Sequence, residues 1–470
     1  MGNKKHFAKT KIVATIGPAS SDEKVIRKMI RAGMSVARLN FSHGSHEQHR
    51  EVIRKIREIS RLEDRPVAIL QDLCGPKIRL GDLAAPVQLK KNQVIALSTE
   101  KDPEALLYTD FKPLPEIVRP GETILIDDGA IELTVTEVRP TSLLCKVRVP
   151  GLVKSRKGIN LPESDAPIPV FTEKDSEDLY FGLEQGVDLV AMSFVDSPDN
   201  IIPMKEIMAQ FSREVPVIAK IERPIALTKI DKIMDAFDGI MIARGDLGVE
   251  VPPEEVPIIQ KNLIRKANRK NKLVITATQM LESMIQNPRP TRAEASDVSN
   301  AILDGSDAVM LSGETAVGQY PVQAVQMMQR IAVTTESSKL YRSALDQEKE
   351  DFNDTEAIAH SAAKIAKDLN AKTIFVFSLT GNTAMRLSKY RPHCPVYAFT
   401  SQQEAVIKMA SYWGISPYLI DFTQNTDEMI HKGEGLLMQK KFIKPGDLVI
   451  TLSGITPMKG ATNMLKISRI

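Results

Sequence analysis

Cysteine is scarce in this sequence, with only Cys74, Cys145 and Cys394 among 470 residues. The three lie far apart, and no Cys-x-x-Cys pair or cysteine–histidine spacing typical of a zinc site occurs. Disulfide frameworks belong mainly to small secreted domains, whereas a chain of this length can bury a large core. The sequence therefore excludes a disulfide scaffold and predicts a protein of a reducing compartment.

Long hydrophobic runs and an excess of one charge are also missing. No unbroken apolar run exceeds four residues, whereas a membrane-spanning helix needs about 20. The apolar stretch Ile12-Val13-Ala14 is too short for a signal peptide. Sixty-two basic and 59 acidic side chains leave a formal net charge of +3, without a long block of one sign. We therefore expect a cytoplasmic protein that neither enters a membrane nor binds nucleic acid.

What the sequence does have is an alternation of short β-branched runs with longer amphipathic segments over about the first 340 residues. Such alternation is typical of parallel α/β folds. The predicted strands are residues 11–17, 35–41, 66–73, 188–194, 216–221, 239–243, 273–278 and 308–312. Helices are predicted between them, among others at residues 45–62, 198–211, 254–271 and 293–304. Eight strand–helix units predict a (β/α)8 TIM barrel.

Two further domains are predicted. About 115 residues separate the third and fourth strands, too many for a structureless loop. Alternating segments at residues 87–97, 123–138 and 142–149 make residues 74–164 a β-rich insert, so the barrel comprises residues 1–73 and 165–345. After the charged stretch Asp346 to Asp354, residues 346–470 form a C-terminal α/β domain. Its predicted strands are 373–379, 395–400, 415–420, 447–453 and 464–469, with helices near 355–369, 402–413 and 426–441.

Polar side chains follow six of the eight predicted barrel strands. The segments are Arg38 to His43, Gln71-Asp72, Lys220 to Glu222, Arg244 to Asp246, Thr276 to Gln279 and Ser312 to Glu314. Functional side chains of such barrels gather at the carboxyl ends of the strands. We therefore expect these six ends to converge on one site at the mouth of the barrel.

The residues at the fifth and sixth strand ends indicate a divalent cation site. Period-two alternation places Lys220 and Glu222 on the same side of their strand, and Asp246 follows the neighbouring strand. Two carboxylates without a basic partner between them suit magnesium, a hard cation that keeps waters and substrate phosphate as further ligands. The alternative is that both are solvated loop acids.

The segment Arg244 to Val249 contains two glycines at the predicted start of a short helix, where free amides can hold an anion. An ordinary tight turn is the alternative. A cation, a magnesium site and an anion site together are typical of phosphoryl transfer. No Walker loop or kinase glycine loop is present, so a nucleotide would be held in another way.

Two other features are open to a functional or a structural interpretation. His43 at the barrel mouth is expected to touch a nucleotide, whereas His49 is expected to be structural. In the C-terminal domain, Ser378 to Ala384 joins a strand to a helix and could cradle a phosphate, or be an ordinary capped turn. A second glycine-bearing loop, Ser453 to Gly460, could close over the same ligand.

Several longer segments resemble the pyruvate kinase family, and the resemblance extends over essentially the whole chain. The segments are Lys11 to Pro18 (KIVATIGP), Arg38 to Gly44 (RLNFSHG), Lys157 to Pro162 (KGINLP), Ala219 to Glu222, Ile242 to Glu250 (IARGDLGVE), Thr276 to Asn300 and Asp307 to Thr315. The resemblance implies a barrel that carries a mobile lid after its third strand and a C-terminal effector-type domain. It also implies phosphoryl transfer from phosphoenolpyruvate to ADP, which gives pyruvate and ATP.

The resemblance implies catalytic roles at the barrel mouth. Glu222 and Asp246 would hold the magnesium, or manganese in its place, that grips phosphoenolpyruvate. Lys220 would neutralise the phosphoryl group during transfer, with Arg38 binding phosphate. Thr278 would lie near the enolate carbon that takes up a proton.

Further binding roles come from the same resemblance. Arg79 would bind phosphate, and the backbone at Gly245 and Asp246 would receive the substrate carboxylate. A second magnesium would arrive with the nucleotide. The residues expected near the nucleotide or a monovalent cation are Asn40, Ser42, His43, Arg79 and Lys157.

The family is typically tetrameric and controlled by phosphorylated metabolites, so we expect a homotetramer and a phosphorylated small-molecule effector. The expected effector loop consists of Ser378, Thr380, Gly381, Asn382 and Thr383. Family members controlled by fructose 1,6-bisphosphate often have Arg or Lys at the position of Asn382, so the identity of the effector stays open.

One departure lies in the active site. Potassium-dependent members have a glutamate where this chain has Lys77, and the ion would lie among Asn40, Ser42 and Asp72. We expect the Lys77 ammonium to fill that position, so that the enzyme needs magnesium but not potassium. The alternative is a solvated lysine at the lid hinge.

Two other functions stay open at the level of sequence. A magnesium-dependent aldolase or lyase acting on pyruvate enolates also uses a barrel and paired acids, although the insert and the C-terminal domain disfavour it. A catalytically inactive sugar-phosphate sensor is the other alternative, which the full set Arg38, Lys220, Glu222, Asp246 and Thr278 disfavours.

Overall fold

The computed structural model describes residues 7–101, 105–164, 170–211, 213–341, 353–423, 425–454 and 462–470. The first part of the chain forms alternating strands and helices: β1 (Lys11–Thr15), α1 (Glu23–Ala32), β2 (Met34–Asn40), α2 (His46–Leu62) and β3 (Ala68–Asp72). Ser45 and Gln48 form a capping box that starts α2, and Gly33, at φ +124°, ends α1.

The chain then forms the β-rich insert. Its elements are β4 (Val87–Gln88), β5 (Val94–Ser98), β6 (Leu107–Tyr108), α3 (Leu114–Ile117), β7 (Thr123–Ile126), β8 (Ile131–Val138), β9 (Ser142–Val149), β10 (Leu152–Val153) and β11 (Ile159–Asn160). Six strands form one sheet in the order β11-β7-β8-β9-β5-β6, and β10 pairs with β4. Alternate residues of β8 and β9, among them Leu133 and Val147, fill the core of this domain.

Two of the alternating segments of the insert are each divided into two strands by a turn. The segment 123–138 is a hairpin, because Asp127, Asp128 and Gly129 all have positive φ and turn the chain between β7 and β8. The segment 87–97 is likewise interrupted between β4 and β5, where Asn92 has φ +65°. Asp and Asn tolerate this left-handed conformation better than most residues, and Gly129 adopts it without a steric cost.

The barrel resumes after the insert. Its elements are α4 (Glu173–Glu184), β12 (Leu189–Met192), α5 (Ile202–Gln210), β13 (Val217–Ile221), α6 (Pro224–Thr228), α7 (Ile230–Ala236), β14 (Gly239–Ala243), α8 (Arg244–Glu250), α9 (Val256–Arg269), β15 (Leu273–Ala277), α10 (Arg292–Leu303), β16 (Ala308–Leu311), α11 (Gly313–Ala316) and α12 (Pro321–Glu336), with short 3₁₀ turns at Pro198–Ile201 and Glu282–Ile285. The barrel closes in the order β1-β16-β15-β14-β13-β12-β3-β2, with neighbouring strands parallel. The predicted (β/α)8 barrel is confirmed.

The C-terminal domain is a separate α/β unit. Its elements are α13 (Asp354–Asp368), β17 (Thr373–Phe377), α14 (Asn382–Ser388), β18 (Val396–Thr400), α15 (Gln403–Met409), β19 (Ile415–Leu419), α16 (Thr426–Gln439), β20 (Leu448–Gly454) and β21 (Thr462–Arg469). The sheet order is β19-β18-β17-β20-β21, and β21 is antiparallel to β20. Most of the predicted linker at 346–354 and of the loop at 453–460 lies outside the described residues.

Buried ion pairs join this domain to the barrel. Asp307, directly before β16, accepts hydrogen bonds from Lys389 and from Arg391, which is 2.8 Å away. The Asp307, Lys389 and Arg391 side chains are each at most 3% exposed. Asp307 lies at the amino end of its strand, so the C-terminal domain contacts the barrel at the end opposite to the polar mouth. Among the described residues, no helix is long and apolar enough to cross a membrane.

Candidate active site

The mouth of the barrel holds a buried network of charged side chains centred on Lys220. Its Nζ lies 2.9 Å from Glu222 Oε1 and 3.3 Å from Asp72 Oδ1, and it donates to Ser193 Oγ at 2.7 Å. The Lys220 side chain is 12% exposed and those of both acids at most 2%. Burial by itself would lower the pKa of Lys220, but the carboxylates of Asp72 and Glu222 more than offset it and raise the pKa. Lys220 is therefore a fixed cation.

Arg38 is the second cation of this network. It extends from β2, its Nε lies 2.6 Å from Asp72 Oδ2, and its Nη1 donates to Thr15 Oγ1 at 2.9 Å. Burial alone would raise the pKa of Asp72, but Lys220 and Arg38 together lower it. Asp72 thus serves as an anionic anchor that fixes the positions of two cations at the mouth.

Glu222 is buried at the end of β13. Its Oε2 accepts the backbone N–H of Phe194 at 2.7 Å, and its Oε1 pairs with Lys220. Burial raises the pKa of Glu222, Lys220 lowers it, and the nearby carboxylate of Asp246 raises it again, with a net upward shift. The carboxylates of Glu222 and Asp246 repel each other, and a bound divalent cation would relieve that repulsion.

Asp246 lies in the first turn of α8, at the helix start that the sequence predicted. Its Oδ1 is 3.8 Å from Lys77 Nζ. Each of the two acids has its own basic partner, since Glu222 pairs with Lys220 and Asp246 with Lys77. Lys220 lies two residues before Glu222, as residue alternation predicted, whereas Lys77 reaches Asp246 from the segment after β3, which strand spacing could not reveal.

The acids nevertheless fit a magnesium site. Among the described residues, no group of three or more His, Cys, Asp or Glu side chains is close enough to form an all-protein metal cage. Magnesium is commonly held by one or two carboxylates, with water and substrate phosphate completing its octahedron. The oxygen atoms of Glu222 and Asp246, on neighbouring strand ends, match that pattern.

The ion-pair partner of Lys77 is a residue outside the set expected around its ammonium. The position predicted for its ammonium was beside Asn40, Ser42 and Asp72, but Asp72 pairs with Arg38 and Lys220. Lys77 instead pairs with Asp246. Asn40 Oδ1 accepts the backbone N–H of Ser42 at 3.2 Å. The Asp72 carboxylate is thus already balanced by two protein cations.

Thr278 has a strained backbone. Its φ of +68° is rare for a β-branched residue, and such strain clusters at functional sites. Its hydroxyl accepts the N–H of Gly245 at 2.7 Å and donates to the Ala277 carbonyl at 2.6 Å. The Gly245 amide that was expected to receive a substrate carboxylate therefore binds Thr278 in this structure.

Arg244 belongs to one of the six polar strand ends, but the sequence indicated no role of its own for it. Its Nη2 donates to the Thr278 carbonyl at 2.8 Å, and its Nη1 lies 2.7 Å from Asp297 Oδ1 in α10. The Arg244 guanidinium, held by these two hydrogen bonds as a planar fork, restrains the strained turn after β15. The pairing of Arg244 with Asp297 depends on how α10 packs beside the barrel, which spacing along the chain does not show.

The remaining expected mouth residues lie around this network. Arg79 and Lys157 are on the two chain segments that join the insert to the barrel, and Lys157 Nζ pairs with Asp127 at 2.7 Å. His43 is exposed. His49 is buried and stacks on Phe41 with ring centres 4.1 Å apart, which supports its structural interpretation.

The loop predicted to bind an effector forms a turn that is closed by a hydrogen bond to Ser378. Gly381 has φ +83°, and its N–H donates to Ser378 Oγ at 3.1 Å. Thr383 is buried, and its hydroxyl lies 2.7 Å from that of Thr462. Two hydroxyl groups of the expected cradle are therefore used within the protein, whereas Asn382 is exposed and Thr380 half-buried.

The fold and this network define a (β/α)8-barrel enzyme with a charged mouth covered by an inserted β domain and equipped to bind a phosphorylated anion and a divalent cation. The family model described as "Pyruvate kinase, barrel domain" matches residues 7–325, and that described as "Pyruvate kinase, alpha/beta domain" matches residues 356–468. The chain belongs to the pyruvate kinase family. It is therefore a phosphotransferase.

Individual relatives agree with this assignment. The pyruvate kinase of Clostridium perfringens is 42% identical, with 98% of this chain and 100% of the relative covered. Pyruvate kinase 2 of Synechocystis sp. is 44% identical, with 98% of this chain and 79% of the relative covered. The crystal structure of a pyruvate kinase from Cryptosporidium parvum superposes with a TM-score of 0.93 at 37% identity, covering 98% of this chain and 96% of that one.

Proposed function

We propose that the chain transfers the phosphoryl group of phosphoenolpyruvate to ADP at the mouth of the barrel, with Lys220 at the centre of the reaction. The observation that carries this proposal is the buried Lys220 ammonium held between Asp72 and Glu222. Phosphoryl transfer needs mainly positioning and neutralisation of charge on the moving group, and a preorganised cation in a dry site supplies both.

The acids and the second cation complete the site. Glu222 and Asp246 would hold magnesium, with manganese as a substitute, and the metal would neutralise charge on the substrate carboxylate and phosphate. Arg38 and Arg79 would bind phosphate oxygens. When substrate binds, its negative charges would take over the ammonium groups that now pair with Glu222 and Asp246.

Thr278 is proposed to orient the enolate carbon for protonation. Its hydroxyl is already fixed by the Ala277 carbonyl and the Gly245 amide. For the backbone at Gly245 to bind the substrate carboxylate, the Gly245 N–H would turn from Thr278 to the substrate. That exchange would leave the Thr278 hydroxyl oxygen open toward the reacting carbon.

The nucleotide is proposed to bind between the barrel mouth and the inserted domain. Asn40, Ser42 and His43 approach it from the barrel, whereas Arg79 and Lys157 approach from the connecting segments. Exposed His43 and half-exposed Lys157 are accessible for such contacts. A second magnesium would arrive with the nucleotide phosphates.

We further propose that magnesium is required and potassium is not. The support is the balance of protein charges at the mouth: Arg38, Lys220 and Lys77 are paired with Asp72, Glu222 and Asp246. A bound potassium ion would add to a site that already has one protein cation for each acid. Lys77 supplies its charge on the Asp246 side of this site.

Control by a phosphorylated metabolite, a homotetrameric assembly and a cytoplasmic location are proposed with the family as their support. The exposed Asn382 and half-buried Thr380 of the expected effector loop are the side chains left to contact a phosphate. Titrating a panel of phosphorylated metabolites while following the substrate saturation curve tests the first proposal. Sedimentation velocity tests the second.

ATP formation from phosphoenolpyruvate, ADP and magnesium is the decisive test of the reaction. We expect turnover that depends on all three components. An aldolase or lyase would release pyruvate from another substrate without forming ATP, and an inactive sensor would bind phosphorylated ligands without turnover. Either outcome with clean, folded protein would contradict the proposal.

A further inference from the structure

The helix α8 carries Asp246 and touches two parts of the protein at its two ends. At its start, Arg244 binds the Thr278 carbonyl and Asp297. At its end, Glu250 Oε1 accepts a hydrogen bond from Asn160 Nδ2 of the inserted domain at 3.1 Å. A helix of only seven residues is a short rigid link, so a shift at one end moves the other.

Asn160 lies in the sheet of the inserted domain, so its position changes when that domain moves. It belongs to β11, which pairs with β7 at the edge of the six-stranded sheet. Just before it, the returning segment pairs with the outgoing one: Ile159 N–H donates to the Ile78 carbonyl at 2.9 Å, and Leu80 N–H to the Lys157 carbonyl at 2.8 Å. Asn160 therefore sits where the inserted domain meets its two-stranded connection.

Glu250 is not an ordinary surface acid. Its Oε2 is buried and has no hydrogen-bond partner among the described residues. Glu250 lines a cavity of about 40 Å³, together with Lys77, Asn160 and Arg223, and a cavity of that size can hold water. Burial of a carboxylate costs free energy unless the group is hydrogen-bonded, and the one side-chain hydrogen bond that Glu250 makes with the described residues crosses to the inserted domain.

We propose that Glu250 is a positioning residue: its hydrogen bond to Asn160 fixes the inserted domain over the barrel mouth and, through α8, fixes Asp246 for catalysis. The inserted domain thereby acts as a lid. Its position over the barrel mouth affects α8, the helix that carries the proposed metal ligand Asp246. When the bond is absent, the lid no longer restrains the end of α8. Asp246 then samples positions in which substrate binds less tightly.

The test uses a reversal of the pair. Asn160→Asp places two carboxylates about 3 Å apart, whereas the double variant Asn160→Asp/Glu250→Gln restores one donor and one acceptor in the opposite direction. For Asn160→Asp we expect kcat/KM for phosphoenolpyruvate to fall roughly 10-fold or more, as loss of a hydrogen bond to a charged group does. The double variant should recover most of that loss. The loss in kcat/KM should come from a rise in KM. A misfolded fraction of the protein would instead lower the apparent kcat and leave KM unchanged.

Matched controls make the same chemical changes elsewhere. Asn92 lies on an exposed turn of the inserted domain, and Asn92→Asp is the control for Asn160→Asp. Glu254 lies on the exposed segment after α8, and Glu254→Gln is the control for Glu250→Gln. Both should keep native kinetics. Hydrogen exchange of the peptides around Asn160 and Glu250 should become faster in Asn160→Asp and return toward native rates in the double variant.

The kinetic readout rests on the phosphoryl-transfer function proposed above, whereas hydrogen exchange does not. If the unmodified chain forms no ATP, the proposed function fails and exchange still tests the hydrogen bond. If Asn160→Asp does not fold, Asn160→Ala, which removes the donor without adding charge, replaces it with the same expected rise in KM. Native KM and exchange in Asn160→Ala, or a double variant no better than Asn160→Asp, would overturn the proposal.

Discussion

Arg244 Nη2 donates a hydrogen bond of 2.8 Å to the carbonyl of Thr278, a residue held at φ +68°. The same guanidinium binds Asp297 at 2.7 Å. A strained β-branched residue persists only where its surroundings fix it, and this planar fork is part of that restraint. Arg244 thus supports the side chain that we place beside the enolate carbon.

Arg244→Lys tests this support. A lysine keeps the charge but cannot bind the Thr278 carbonyl and Asp297 in the same fixed geometry. We expect kcat to fall roughly 10-fold, which corresponds to about 1.4 kcal/mol of transition-state stabilisation. The solvent deuterium isotope effect on kcat should increase, because protonation of the enolate carbon becomes slower.

Arg269→Lys, at the exposed end of α9, is the matched control and should have native kinetics. An Arg244→Lys enzyme with unchanged kcat and isotope effect would show that the fork stabilises the loop without serving the reaction. Asp297→Asn should give a smaller change in the same direction, because Arg244 keeps its bond to the Thr278 carbonyl.

Lys220→Met tests the central cation. Removing a preorganised charge that acts on the moving phosphoryl group should cost about 4 kcal/mol, or roughly 10³-fold in kcat. Substrate KM should change less, because most of the interaction is expressed in the transition state. Steady-state kinetics measure both constants. Lys229→Met, at an exposed position, controls for the substitution, and near-native turnover in Lys220→Met would remove the proposed role.

The interface between barrel and C-terminal domain should be sensitive to acid. Burial alone would raise the pKa of Asp307, but Lys389 and Arg391 more than offset this and lower the pKa below its usual range. A carboxyl group with a lowered pKa stabilises the fold above its unfolded pKa, and that stability is lost as pH falls through the folded pKa. We expect the free energy of unfolding to decrease below about pH 4.

Asp307→Asn should remove this contribution at neutral pH. It leaves Lys389 and Arg391 buried opposite a neutral amide, and breaking a buried pair costs about 3–5 kcal/mol. Urea denaturation at pH 7 measures the loss, and the variant should also show a weaker decrease in stability between pH 5 and 3 than the unmodified chain. Equal stability of the two proteins at pH 7 would contradict a structural role for these ion pairs.

The thiols provide a check on burial. Burial raises the pKa of Cys145 to about 12, and that of Cys394 to about 11 with a smaller opposing effect of Lys9. Because the thiolate is the reactive form, both should resist alkylation at pH 8 in the folded protein. Cys74 is half-buried and should react first. Peptide mass spectrometry after brief alkylation measures the order, and labelling of Cys145 as rapid as that of Cys74 would contradict it.

The sequence predicted the barrel well because its eight strands are short apolar runs with clear polar boundaries, and strand ends differ by only a few residues. Residue alternation also placed Lys220 beside Glu222 correctly. Contacts between segments far apart in the chain were beyond its reach. The pairing of Lys77 with Asp246 and of Glu250 with Asn160 depends on how the inserted domain seats on the barrel, which no local pattern encodes.

Lys77→Glu tests the proposed independence from potassium. In the unmodified chain the Lys77 ammonium lies 3.8 Å from Asp246, and Arg38 and Lys220 neutralise Asp72. The substitution changes the local charge by two units and places a third carboxylate beside the proposed metal ligands. An added monovalent cation should then restore the balance that substrate phosphate requires.

We expect near-full activity of the unmodified enzyme in buffer whose only monovalent cation is a bulky organic one, and a clear activation of Lys77→Glu by potassium. Lys77→Gln, which removes the charge without reversing it, should need less potassium than Lys77→Glu. Magnesium must be saturating throughout, so that weaker metal binding is not mistaken for a potassium requirement. Strong activation of the unmodified enzyme by potassium would contradict the proposal, because a site already balanced by Arg38, Lys220 and Lys77 gains nothing from another cation.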